Sequence, residues 1–158
     1  MTQEQKDILL KDLCARLPYG VKIALKNNGA YHHENIAKKG DITIEILKGF
    51  NGNYFSIRHT NPLDWDWYDD DIDIEDIKPY LFPLSSITEE QKNELREMEW
   101  SFDNSTICNI IECFGTYRAY VDHSCCSELI DWFIKNHFDY RGLIPMELAN
   151  DATGLNIY

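Results

Sequence analysis

Basic residues are scarce in this 158-residue chain: 15 lysines and arginines stand against 27 aspartates and glutamates, for a net charge of −12. The shortage is uneven. Residues 1–60 carry nine basic and six acidic side chains, a net of +3, whereas residues 61–158 carry six and twenty-one, a net of −15. Contact with DNA, RNA or anionic lipid relies on cationic side chains that release counterions. Direct nucleic-acid or membrane-surface binding is therefore disfavoured, and a basic protein surface or a nucleic-acid-binding protein is the favoured partner. No apolar run nears the ~18 residues of a membrane span. The start, "MTQEQKDILLKDL", lacks the basic-then-apolar plan of a secretory leader, so a cytoplasmic location is expected. The five cysteines are odd in number and include no C-x-x-C pair, which favours free thiols in a reducing compartment over a disulfide framework. There is no glycine-rich phosphate loop. What is present is a globular composition, 44% apolar and 13% aromatic. The length suits one domain that buries roughly 70% of the surface its unfolded chain exposes.

Local patterns predict the elements. Thr2 and Gln5 have capping-box spacing, and Ile8, Leu9, Leu13 and Leu17 recur at helical spacing until Pro18 and Gly20. Val21, Ile23 and Leu25 alternate with polar or small residues as a strand does. In "DITIEILKGFNGNYFSIRHT", Ile42, Ile44 and Ile46 alternate, Gly49 to Gly52 supply a turn, and Tyr54 to Arg58 return, which predicts a hairpin in meander with strand 21–26. Pro79 and Pro83 break "DIKPYLFPLSS" into short pieces. Thr88 and Gln91 form a second capping box, opening a helix over 88–99 with Leu95, Met98 and Trp100 as packing contacts. Residues 106–113 and 116–121 read as strands. Ser124 suits the cap of a last helix with Leu129, Ile130, Phe133, Ile134 and His137 or Phe138 inward, ended at "DYRG" by a left-handed Gly142. The fold class expected is α+β: a single domain over 1–150, mainly antiparallel sheet with helices on one face, and a weakly ordered tail at 151–158.

Two segments, "DIEDIKPYLFPLSSITEEQK" (73–92) and "LIDWFIKNHFDYRGLIP" (129–145), resemble a set of small acidic proteins of phages, prophages and mobile elements of gut anaerobes. The set has no assigned activity, so the resemblance implies a context and transfers no catalytic residue. The chain departs from the set at Phe82, a position often basic there, and in its ending after Pro145.

The most unusual stretch is "DWDWYDDDIDIED", residues 64–76: eight carboxylates, two tryptophans, one tyrosine and no base. As a calcium loop beginning at Asp64 it has Asp66 and Glu75 in place, but Tyr68 takes the fifth position and Asp69 the sixth, where a glycine must make the turn. Cys108, Cys113, His123, Cys125 and Cys126 crowd within nineteen residues. Zinc, however, needs convergent ligands, and the offset of five between Cys108 and Cys113 places them on opposite faces of a strand or well apart on a helix. Neither a metal nor another cofactor is expected. Cys125 or Cys126 in a first helical turn, with His123, His137 or His59 as base, would make a cysteine nucleophile, but no oxyanion loop accompanies them. His137, Asp139 and Arg141 in "HFDYRG" suit a hydrogen-bonded helix end better than an acid–base cluster. The leading expectation is a non-enzymatic interaction domain. Its site would be Asp64, Trp65, Asp66, Trp67, Tyr68, Asp69, Asp70, Asp71, Asp73, Glu75 and Asp76, docking a basic surface, with nucleic-acid mimicry as the sharper form. The rival is a small cysteine-dependent enzyme using residues 123–126.

Overall fold

The computed structural model describes residues 1–26, 42–58, 68–98 and 127–158, with the backbone alone described at residues 68–71 and 127. The expected strands at 106–113 and 116–121, the contact by Trp100 and the cap at Ser124 lie outside the described residues, as do the cysteine–histidine cluster at 108–126 and His59.

Helix α1, Gln3–Arg16, begins with the expected capping box. The Gln5 amide donates to Thr2 Oγ1 at 3.2 Å, and the Thr2 amide donates back to Gln5 Oε1 at 2.9 Å. Leu9, Asp12, Leu13 and Arg16 are buried along α1, one stripe at helical spacing. Strands β1 (Lys22–Lys26), β2 (Ile42–Phe50), β3 (Phe55–Arg58) and β4 (Tyr68–Ile72) run as an antiparallel meander, and β5 (Ile77–Leu81) joins the free side of β1. The short β6 (Asn150–Asp151) pairs in parallel with β5, giving the order β4-β3-β2-β1-β5-β6. Helices α2 (Glu89–Met98) and α3 (Ser127–Lys135) complete the described elements. The protein is α+β with a mainly antiparallel sheet, as the patterning implies.

The chain passes from β4 at one edge to β5 on the far side of β1 through residues 73–76 alone, three of them in the 3-10 turn Ile74–Asp76. Even fully extended, those five Cα steps reach at most ~18 Å, while four strand spacings in a flat sheet come to ~19 Å. The sheet therefore curls. Leu9 and Leu13 of α1 join Val21, Ile23, Leu47, Phe55, Ile57, Ile72, Ile77 and Leu81 in the main core. A second apolar cluster, Ile87, Leu95, Leu129, Phe133 and Phe138, is built by α2, α3 and their flanks. Segments 73–92 and 129–145 meet here, at a bridge between Phe82 and Phe138.

Four expectations are corrected. Gly49 is not in the turn but inside β2, at an irregularity in the pairing with β3. A Cβ there would lie 2.7 Å from Ser56 Oγ, so a larger residue at 49 would require the Ser56 side chain to turn away. The turn is instead held by Asn51, whose Oδ1 accepts the amides of Asn53 and Tyr54 at 3.0 and 2.9 Å. Pro79 lies within a strand rather than ending one, opposite Ile23. Pairing with β6 begins only at Tyr80, so β6 loses no ladder bond to the missing N–H. Helix α3 ends at Lys135, not at "DYRG", and His137 rather than Gly142 closes it. With φ of 58°, His137 is left-handed; its amide donates to the Ile134 carbonyl at 3.1 Å and the Phe138 amide to the Phe133 carbonyl at 2.9 Å. This is the paired 5→2 and 6→1 pattern of a Schellman motif. Gly142, φ 74°, serves a later turn. Residues 151–158 do not leave the sheet as a loose tail. The Ala152 amide donates to the Leu81 carbonyl at 2.8 Å, Ala152 is buried, and Tyr158 reaches β1 and β5.

Candidate functional site

The acidic stretch divides into three parts. Asp64, Trp65, Asp66 and Trp67 lie outside the described residues. Tyr68, Asp69, Asp70 and Asp71 form the backbone of β4, the outermost strand on its side of the sheet, which among the described residues pairs with β3 alone. Aspartate is a poor strand former, so β4 owes its conformation to its pairing with β3 and to Ile72, which is fully buried.

Asp73, Glu75 and Asp76 occupy the 3-10 turn that leads into β5. Asp73 Oδ1 accepts the Glu75 amide at 3.0 Å and so caps that turn. Glu75 is paired with Lys6 Nζ of α1 at 2.8 Å, and that hydrogen bond raises the lysine's pKa. A base from a distant part of the chain thus meets the run, although none lies within it. Both partners are partly exposed, so the pair adds little to stability. The three acidic groups beyond Ile72 are therefore tied to the turn and α1 to different degrees: Asp73 and Glu75 by these contacts, while Asp76 sits inside the turn itself. The unbroken aspartates Asp69, Asp70 and Asp71 are the part of the run that lies in the strand at the edge of the sheet formed by the described residues. Among the described residues no group of histidines, cysteines and carboxylates is arranged to hold a metal.

The second polar cluster is internal. Asp12 and Arg16 are both fully buried. Arg16 grips the carboxylate with two bonds, Nε to Oδ2 at 2.6 Å and Nη2 to Oδ1 at 3.2 Å. It also donates to the carbonyls of Ile134 at 3.3 Å and Phe138 at 2.7 Å. The guanidinium thereby satisfies backbone acceptors where α3 ends, where a cation is favoured, and it joins α1 to the second cluster. Arg141 Nε adds a contact to Asp12 at 3.4 Å and stacks over the Tyr140 ring at 4.7 Å. Asp139 accepts the amides of Leu143 and Ile144 at 2.7 and 2.8 Å. Burial nevertheless raises its pKa, outweighing those two donors. "HFDYRG" is thus a hydrogen-bonded turn, with Asp139 bound to amides rather than to carbonyls. Asp139→Ala should cost about 2–3 kcal/mol, because the buried Leu143 amide loses the carboxylate that accepts it; a urea-midpoint shift at unchanged slope measures it.

Cys14, the one cysteine among the described residues, is unpaired and half-buried, and burial raises its thiol pKa. It is a packing residue rather than a nucleophile. No helix among the described residues is long and apolar enough to cross a membrane. No protein-family model, curated protein or solved structure matches the chain.

Proposed function

We propose that the protein is a non-enzymatic interaction domain whose acidic edge docks a basic segment of another protein. The observation that carries this is the position of Asp69, Asp70 and Asp71 in β4, which among the described residues pairs on one side only. An edge strand offers backbone groups to an added strand, and charge there chooses among candidates: it repels a second copy of the same edge and attracts a cationic one. The net of −15 over residues 61–158 extends the field and steers encounter. The phage and mobile-element context implied by segments 73–92 and 129–145 supplies partners of this chemistry, including host nucleic-acid-binding proteins whose basic surface an acidic edge can occupy.

A peptide of alternating lysine and valine tests the mode of binding. It should bind the protein, and a version with proline at alternate positions should bind at least about tenfold more weakly, because proline cannot donate to a ladder. Equal affinity for the two peptides would mean that only charge is read and that no strand is added.

A further inference from the structure

Tyr158 occupies a place that a direct strand-to-strand bond would otherwise fill. The β1–β5 register pairs Leu25 with Ile77, Ala24 with Lys78 and Ile23 with Pro79, so the next rung would join Lys22 to Tyr80. Instead the Lys22 amide donates to Tyr158 Oη at 3.0 Å, and that hydroxyl donates to the Tyr80 carbonyl at 2.8 Å. The phenol is inserted between the strands. Its ring lies 4.0 Å from the His137 ring, nearly parallel, and 5.8 Å from Phe82. Lys22 Nζ holds the Ile157 carbonyl. Upstream, Gly154 is left-handed at φ 77° with open space around it, and Leu155 and Tyr158 remain over 40% exposed. A short, partly exposed segment is thus held by a few polar contacts beyond a glycine.

We propose that residues 155–158 are a strap, hinged at Gly154, that closes over His137 and is released when that imidazole takes up a proton. His137 is buried and, among the described residues, its Nδ1 has no hydrogen-bond partner. A proton there would point at no acceptor. Arg16 from α1 and Lys22 from β1 place positive charge on the ring's surroundings. The carboxylates of Asp12 and Asp139 are committed elsewhere, to Arg16 and to backbone amides, and the ring of Tyr158 stacks on the imidazole. Burial first, then Arg16 and Lys22, lower the His137 pKa from 6.5 to about 4. Closure leaves the imidazole neutral and release lets it charge. The strap is therefore closed above the free value of 6.5 and loosens as pH falls from there towards 4. Release moves the tyrosine that covers the ring and frees Lys22 from Ile157.

The Lys22 amide reports closure, since its acceptor is the Tyr158 hydroxyl. Exchange of this amide, corrected for the intrinsic rate, is compared with that of Ala24 and Leu25 in the ladder. Between pH 7.5 and 5 its protection should fall by at least about tenfold while theirs holds. His137→Asn, which tolerates the left-handed backbone and cannot protonate, should abolish the fall. Tyr158→Phe should leave Lys22 weakly protected at both pH values. The proposal is overturned if Lys22 and Leu25 lose protection together, since the strap is then part of the cooperative core. It is also overturned if wild type and His137→Asn respond alike.

Discussion

Arg16→Ala is expected to lower the unfolding free energy by about 3–5 kcal/mol, the cost of breaking a buried ion pair by removing one partner. Arg16 and Asp12 are both fully buried. Without the guanidinium, the carboxylate keeps only the longer contact to Arg141 at 3.4 Å. The carbonyls of Ile134 and Phe138 also lose a donor. Asp12→Ala should cost a similar amount by stranding the cation. The double variant, Asp12→Ala with Arg16→Ala, should cost clearly less than the two single losses added together, because no uncompensated charge is left. Urea denaturation of the four proteins forms the cycle. Additive losses would show that the two side chains act independently and that the pair is not the link between α1 and α3.

Phe138→Ala should be comparably severe, at about 3–5 kcal/mol. The ring is 2% exposed. It stacks on Trp132 at 5.5 Å between centroids and meets Phe133 edge-on at 6.4 Å and Phe82 at 6.1 Å. The backbone on both sides of the ring is pinned, which limits collapse into the space. The Phe138 amide bonds the Phe133 carbonyl at 2.9 Å, the Asp139 amide bonds the Phe82 carbonyl at 2.8 Å, and Arg16 holds the Phe138 carbonyl. Phe138→Leu should recover part of the loss. A shift of less than about 1 kcal/mol for the alanine variant would mean that the second cluster repacks readily and contributes little.

Parts of this architecture can be read directly from the residues, because the signals are local. Thr2 with Gln5, and Thr88 with Gln91, make the bonds that their spacing implies. The predicted hairpin forms, with residues 46–50 pairing with 55–58, while Ile42, Thr43, Ile44 and Glu45 pair with β1 as the meander requires. The buried pair is harder to see. An acid and a base four apart on a helix normally mark a solvated face, and only the placement of Asp12 and Arg16 beside Leu9 and Leu13 reveals that all four share one stripe. The left-handed position at His137 carries no glycine to announce it. The return of residues 151–158 is decided by Lys22, Tyr80 and His137, which are distant in sequence, while the polar composition of "ANDATGLNIY" gives no local sign of it. At the acidic run, low strand propensity hides β4, whose geometry comes from β3 across the hydrogen-bonded edge. Within the same run, the partner of Glu75 is Lys6, nearly seventy residues earlier.

Association kinetics test whether the aspartates of β4 recruit a basic strand. Wild type and the triple variant Asp69→Asn, Asp70→Asn, Asp71→Asn are each mixed with the alternating lysine–valine peptide across a range of salt concentrations. Carboxylates act through a field with a Debye length of about 8 Å at physiological ionic strength, so they govern the rate of encounter more than the lifetime of the complex. The wild-type association rate should fall steeply with salt. The variant should start at least about tenfold slower at low salt, show a flattened salt dependence and retain the wild-type melting temperature. Equal association rates at low salt for the two folded proteins would contradict the account and leave the acidic strand as a solvated edge with no role in recognition.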